Sequence, residues 1–261
     1  MNGVATREAG RTVDFDRFAK GYEDDVDRSV SFTGRNAAFY ARRKAEILEE
    51  IVRRGPGPLP GLSLLDVGCG TGTTDQVLAP RVRRLHGVDV SEEMLTQARR
   101  NLPEAQFSWY DGERLPFDDG TFDVVVAICV LHHVPVSQRS TVVGEMVRVT
   151  RREGVVAVFE HNPYNPLTRH AVNTCELDRD AVLLAPRESL ALLRGSAHVE
   201  PDLRHYLFSP LGGAAGSSLD RYLRRLPLGG QYAAWVRRRA VFTRQHGVRD
   251  RDSVSSAPFV P

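Results

Sequence analysis

The chain has 261 residues, 41% apolar and 26% charged, which suits one α/β domain with a sizeable core and some additional helices. A formal net charge of +2 argues against nucleic acid or a membrane surface as partner. The three cysteines, Cys69, Cys129 and Cys175, are too scattered for a disulfide framework or a zinc-ligand pattern, which fits a reducing cytoplasm.

Residues 1–12 read as disordered, polar and mixed in charge, without the basic-then-apolar pattern of a leader; no stretch nears the roughly 18 apolar residues of a membrane span. A cytoplasmic protein is the expectation. Residues 13–60 form a helical cap, with Phe15, Phe18, Tyr22, Phe39, Ile47, Leu48 and Ile51 recurring at spacings of three and four, before a Gly/Pro linker over 54–61. Strands then alternate with helices. Ser63–Val67 is the first strand and Thr73–Leu78 a helix; Arg84–Val88 is the second strand, followed by Glu92–Asn101 as a helix capped by Ser91. Gln106–Tyr110 and Phe122–Ile128 are strands, the latter apolar except for Asp123 and so expected to be buried on both faces. Gln138–Thr150 is a helix and Gly154–Glu160 a fifth strand. This alternation predicts a doubly wound, mainly parallel sheet.

Beyond Glu160 the pattern loosens. An irregular loop covers 161–166, Thr168–Cys175 and Arg187–Leu193 read as helices of an insertion over about 161–195, and His198–Phe208 and Gln231–Val236 read as late strands joined by Leu211–Gly230. The main domain spans 61–238, and the arginine-rich tail over 239–261 reads as disordered and solvated, since acids interrupt it and no aromatic platform accompanies it.

The chemistry concentrates in Asp66-Val-Gly-Cys-Gly-Thr-Gly72, after the first strand. Glycines there let the backbone approach a ligand. The spacing is G-x-G-x-G, not the G-x-G-x-x-G of dinucleotide binders, and no lysine follows as in a phosphate-cradling loop. A nucleoside without phosphates fits. Asp89, ending the second strand, can accept from both ribose hydroxyls, and Asp111, after the third, from an adenine amine. Ile128 and Cys129 end the fourth strand.

Leu65-Asp-Val-Gly-Cys-Gly-Thr-Gly72, Gly87-Val-Asp-Val-Ser-Glu-Glu-Met-Leu95, Asp111-Gly-Glu-Arg-Leu-Pro-Phe117, Phe122-Asp-Val-Val125 and Leu131-His-His-Val-Pro135 resemble, in order and spacing, the successive motifs of class I S-adenosylmethionine-dependent methyltransferases, of the small-molecule, natural-product or sugar type. The resemblance covers about residues 60–160. It implies a seven-stranded sheet with an antiparallel last strand. It also implies S-adenosylmethionine bound by Gly68, Gly70 and Gly72 with Asp66 steadying the loop, by Asp89 with Val90 and Met94 at the base, by Asp111 with Gly112 and Glu113, and by Ile128 and Cys129. Where the family's third motif usually reads Gly-Asp-Ala, this chain has Tyr110-Asp-Gly. Phe15-Asp-Arg-Phe-Ala-Lys-Gly-Tyr22 resembles the family's N-terminal cap, whose tyrosine closes over the cofactor, and Leu226-Pro-Leu-Gly-Gly-Gln-Tyr232 the turn into its final strand.

His132 and His133 are either packing residues or a general base beside the transferred methyl, a role that suits imidazole. Glu160 and His161, ending the fifth strand, either deprotonate or orient a substrate or anchor the loop. Asn162-Pro-Tyr164 follows the wrong strand to be an amino-methyltransferase motif. No metal is expected, because no carboxylate trio of the catechol type is matched. The expected reaction is in-line methyl transfer to a small-molecule acceptor, at oxygen in the first instance and otherwise at nitrogen or carbon, releasing S-adenosylhomocysteine. The alternative is a non-methylating cyclase, decarboxylase or isomerase on the same fold. No nucleic-acid or membrane partner is expected, and the protein is a monomer or homodimer.

Overall fold

The structure is a computed structural model and describes residues 15–207 and 213–238, with the side chains of 213–217 left aside. The expected disordered ends over 1–12 and 239–261 lie outside the described residues.

After a short 3-10 turn at Phe15–Phe18, the N-terminal cap comprises α1 (Tyr22–Val30) and α2 (Ala37–Val52), which begins where the Asn36 side chain accepts the Phe39 N–H at 3.1 Å. The sheet contains β1 (Ser63–Val67), β2 (Arg84–Asp89), β3 (Gln106–Trp109), β4 (Phe122–Ile128) and β5 (Thr150–His161) in its parallel part. These alternate with α3 (Asp75–Leu78), α4 (Glu92–Asn101) and α5 (Arg139–Val149). Ser91 caps α4 as its position predicted, accepting from the Met94 N–H at 3.1 Å. Then follow α6 (Pro166–Thr174), α7 (Pro186–Ala197), β6 (Asp202–Tyr206), α8 (Gly213–Leu223) and β7 (Gln231–Arg237).

The strand order is β3-β2-β1-β4-β5-β7-β6, and β7 runs antiparallel to both neighbours. This is the expected doubly wound, seven-stranded sheet with an antiparallel last strand. β4 lies between β1 and β5, which accounts for its apolar composition: each face meets helices. Leu65, Val125 and Val156 pack with Met146 and Val149 of α5 and Leu193 of α7 on one side, while Leu64, Val124 and Val126 pack with Ile47 and Leu48 of α2 on the other. Asp123 is buried but not bare, because the Ser63 N–H and hydroxyl both donate to it at 2.8 Å and Arg151 lies 2.8 Å away.

Two late elements differ from the sequence reading. β6 is shorter than His198–Phe208, because α7 runs on to Ala197 and His198 caps it in the left-handed region at φ 53°; Phe208 lies outside the described residues. The segment read as a plain connection over 211–230 contains α8. Its glycines give it low intrinsic helix propensity. What holds it is tertiary: Arg43 of α2 donates twice to buried Asp220, at 2.9 and 2.8 Å.

Candidate active site

Doubly wound sheets bind ligands beyond the carboxyl ends of their strands, and a cavity of about 1010 Å³ opens there. The turn after β1 forms its floor, with Gly68, Gly70 and Gly72 at φ of +77°, +55° and +76°, values that L side chains resist. They serve different ends. A Cβ on Gly68 would stand 2.6 Å from the Val130 side chain, whereas one on Gly70 would meet nothing within 4 Å. Gly68 and Gly70 line the cavity; Gly72 does not, and a Cβ there would meet Ala98 of α4 at an ordinary 3.4 Å, so its positive φ is what calls for glycine.

Asp66 also lines this cavity, and its buried neighbour Asp75 opens α3. Burial, then the nearby Asp75 charge, pushes Asp66 well above the ordinary carboxylate range. Burial pushes Asp75 up to about 7, despite a hydrogen bond from Asp66. Asp66 Oδ1 and both Asp75 carboxyl oxygens have no hydrogen-bond partner among the described residues beyond the pair itself, so the pair holds a proton in preference to carrying two buried charges. The folded chain therefore keeps a proton that the unfolded chain releases near pH 4. Stability should fall as pH rises from about 4 through about 7, where Asp75 gives up its proton. Asp75→Asn removes the buried charge and should flatten that decline, read as Tm between pH 5 and pH 8; a variant with the wild-type slope would remove this pair as its source.

Asp89 ends β2 and accepts from the N–H groups of Gly70 (2.8 Å) and Ser91 (2.9 Å), so the loop and the α4 start converge on it. Burial raises its pKa against those donors. Val90 and Met94 stand beside it in the wall, and the Trp109 indole pins the Val90 carbonyl at 2.9 Å. Asp111 is exposed at the rim; the N–H groups of Arg114 and Glu113 hold it below the ordinary range. Gly112 lines the cavity, but the Glu113 side chain is exposed and is not in the lining. Ile128, Cys129, Tyr22 and Phe15 complete the wall, and Ser91 donates to Asp16 at 2.5 Å, tying the cap to α4. With Asp66 held protonated, the carboxylates of Asp89 and Asp111 face one lysine, Lys44, in this lining. That balance suits a cation and opposes a pyrophosphate.

A second cavity of about 200 Å³ adjoins the first, and Tyr22, Lys44, Cys129, His133 and Leu177 line both. It lies under α1 and α6, with an apolar lining that includes Val26, Val30, Phe32 and Val172. His132, His133 and His161 all line it. Glu160 does not, because it is wholly buried behind them, accepting the Leu131 N–H at 2.8 Å and holding His132 Nδ1 at 2.6 Å. Burial alone would lower His132; Glu160 and Asp178 outweigh it and hold the imidazole protonated well above its usual range. His133 is pulled down by burial and by its charged neighbour. Cys129 sits at φ 57°, a strained position for a residue with a side chain. Burial opposes its ionisation, but Lys44 and His161 bring the thiol down to about 7, and Cys129 in turn raises His161.

Asp178 escaped the sequence reading. It lies in the loop after α6, 3.3 Å from His133 Nε2 and 3.4 Å from His132 Nε2. The Val182 N–H on the His132 carbonyl (2.9 Å) and Arg139 on the Val182 carbonyl (2.7 Å) fasten that loop. No local spacing announces it, since its partners are more than 40 residues away in sequence. Lys44 offered one signal, as one of only two lysines among 35 basic residues.

Residues 65–158 match a family described as a methyltransferase domain. A demethylmenaquinone methyltransferase of Renibacterium salmoninarum is 35% identical over 135 residues, 51% of this chain and 55% of that protein. A phosphatidylethanolamine N-methyltransferase of Cereibacter sphaeroides is 38% identical over 107 residues, 39% of this chain and 51% of that protein. The chain thus spans about half the length of these curated relatives. A crystal structure of an S-adenosylmethionine-dependent methyltransferase from Thermotoga maritima superposes with TM-score 0.62 at 18% identity, covering 86% of this chain and 98% of that one. The structure of the cyclase SpnF superposes with TM-score 0.53 at 18% identity, covering 75% and 82%. Among the described residues no helix is long and apolar enough to cross a membrane. Residues 65–158 are thus similar to a methyltransferase domain, and the chain shares its fold with solved S-adenosylmethionine-dependent methyltransferases.

Proposed function

We propose that the protein binds S-adenosylmethionine in the larger cavity and transfers its methyl group to a compact small-molecule acceptor in the smaller one. The observation that carries this is the junction: an acidic, glycine-floored cleft opens through Cys129, His133 and Tyr22 onto an apolar chamber with a histidine cluster at its wall. The residues fit the cofactor. Gly70 leaves room where a Cβ would stand, Asp89 keeps acceptor capacity beyond its two backbone donors, and the surplus of one carboxylate matches a ligand whose sulfonium and ammonium outweigh its own carboxylate by one charge.

The bound cofactor supplies an activated methyl on a sulfonium. The protein's part is to position the acceptor in line with it, an effect that can contribute about 7–11 kcal/mol. The chamber's apolar walls take the body of the acceptor and exclude water. His132, His133 and Asp178, with Glu160 behind them, meet its hydroxyl and ease the loss of its proton to solvent, which makes oxygen the favoured site of methylation. α1 and α6 roof the chamber, so the acceptor is a small molecule and not a polymer.

The test is incubation with methyl-labelled S-adenosylmethionine and a panel of compact phenols, alcohols and amines, read as S-adenosylhomocysteine formed and label transferred. Turnover with a neutral hydroxylated acceptor is expected. Cofactor that binds but is never demethylated, while an acceptor is rearranged, would instead establish a non-methylating reaction on this fold.

A further inference from the structure

We propose that His132, His133 and Asp178 form a divalent-cation site, of the zinc type, in the wall of the acceptor chamber. Each residue offers one ligand atom, and the three atoms lie within 4.8 Å of one another. Their side chains are 1%, 9% and 11% exposed, so the ligands are withdrawn from bulk water.

The separations are informative. A simple carboxylate–imidazolium bond closes to about 2.7–2.9 Å, as His132 does with Glu160 at 2.6 Å. Asp178 Oδ1 stays 3.4 Å from His132 Nε2 and 3.3 Å from His133 Nε2. In a tetrahedron with bonds of about 2.0–2.1 Å, ligand atoms stand about 3.3–3.4 Å apart. The carboxylate thus already keeps the spacing that an ion between the three would require.

The surroundings supply what a metal site needs behind its ligands. Glu160 fixes His132 through Nδ1 and directs Nε2 towards Asp178, the carboxylate–histidine arrangement that orients metal-bound imidazoles. The His133 N–H on the Val130 carbonyl (2.9 Å) and the Leu131 N–H on Glu160 (2.8 Å) hold the turn carrying both histidines. Charge also closes: Glu160 and Asp178 contribute two negative charges, and a dication with two neutral imidazoles balances them. Two nitrogens and one oxygen favour zinc over magnesium or calcium. Three protein ligands leave a fourth position for water or an acceptor oxygen, and His132, His133 and Asp178 all line the chamber. Under the transferase reading, on which this use of the site rests, the ion lowers the pKa of the bound hydroxyl, whose proton leaves to solvent as the oxygen takes the methyl.

The test uses untagged, full-length protein stripped with chelator and without cofactor. Titration with zinc followed by calorimetry, and with cobalt followed by its visible ligand-field absorption, should each show about one ion per chain. Asp178→Asn, which preserves side-chain size, should weaken zinc at least about 10-fold and abolish the tetrahedral cobalt spectrum; Glu160→Gln, a positioning change, should cost about 10- to 100-fold. Absence of stoichiometric binding, or binding that Asp178→Asn leaves unaltered, overturns the site. Because neither readout involves methyl transfer, that failure leaves the transferase reading standing. A bound ion in a protein that methylates nothing upholds the site and refutes its use.

Discussion

Replacing Asp89 by alanine is expected to reduce the affinity for S-adenosylhomocysteine by at least about 100-fold. Hydrogen bonds to a charged group contribute roughly 1.5–3 kcal/mol each, and each 1.4 kcal/mol is about tenfold in binding, so the loss of two ribose contacts alone reaches that range. The substitution also frees the N–H groups of Gly70 and Ser91, which Asp89 holds at 2.8 and 2.9 Å, so the glycine turn loses its anchor to β2. Asp89→Asn keeps one acceptor oxygen in place and should lose less. Calorimetry with the demethylated cofactor reads both, with near-ultraviolet circular dichroism as the check on folding. Equal affinity for wild type and Asp89→Ala would remove Asp89 from the binding site.

Glu160→Ala should produce the largest loss of stability among the site substitutions, about 3–5 kcal/mol, because it deletes one partner of a fully buried charged pair. For a domain of this size that corresponds to a drop in Tm of roughly 10 °C. The Leu131 N–H loses its acceptor as well. If His132 then sheds its proton, the charge disappears but a buried N–H and an imidazole nitrogen stay unpaired, and the cost remains about 1–3 kcal/mol. Glu160→Gln retains an acceptor for Leu131 and should be milder. Melting of Glu160→Ala at the wild-type temperature would show that the pair contributes nothing to the fold.

Much of this protein was legible locally. The β-strands after residue 60 and the turn from Asp66 to Gly72 carry their signals within a few residues: apolar runs, breakers and a glycine spacing that only certain ligands fit. Asp89 and Asp111 were legible because a parallel sheet places the ends of consecutive strands along one edge, so position in the strand predicts position in the cleft. The same logic reached Ile128, Cys129, Glu160 and His161.

Tertiary contacts decided the rest. α8 has weak helical preference of its own and rests on a buried ion pair to α2, 177 residues away in sequence. Gly72 serves the turn of the backbone at φ +76° and lies outside the cavity lining, and Glu113 turns to solvent, although both stand within motifs that otherwise face the cleft. Glu160 became the group behind His132, and Asp178 entered from a loop with no pattern of its own. The sequence by itself determined the sheet and the cleft-facing turn, because those follow from backbone preference and local spacing. Only the folded chain decided which carboxylates meet which histidines, because burial and approach between distant segments set charge and geometry there, and neither is written in any one stretch of residues.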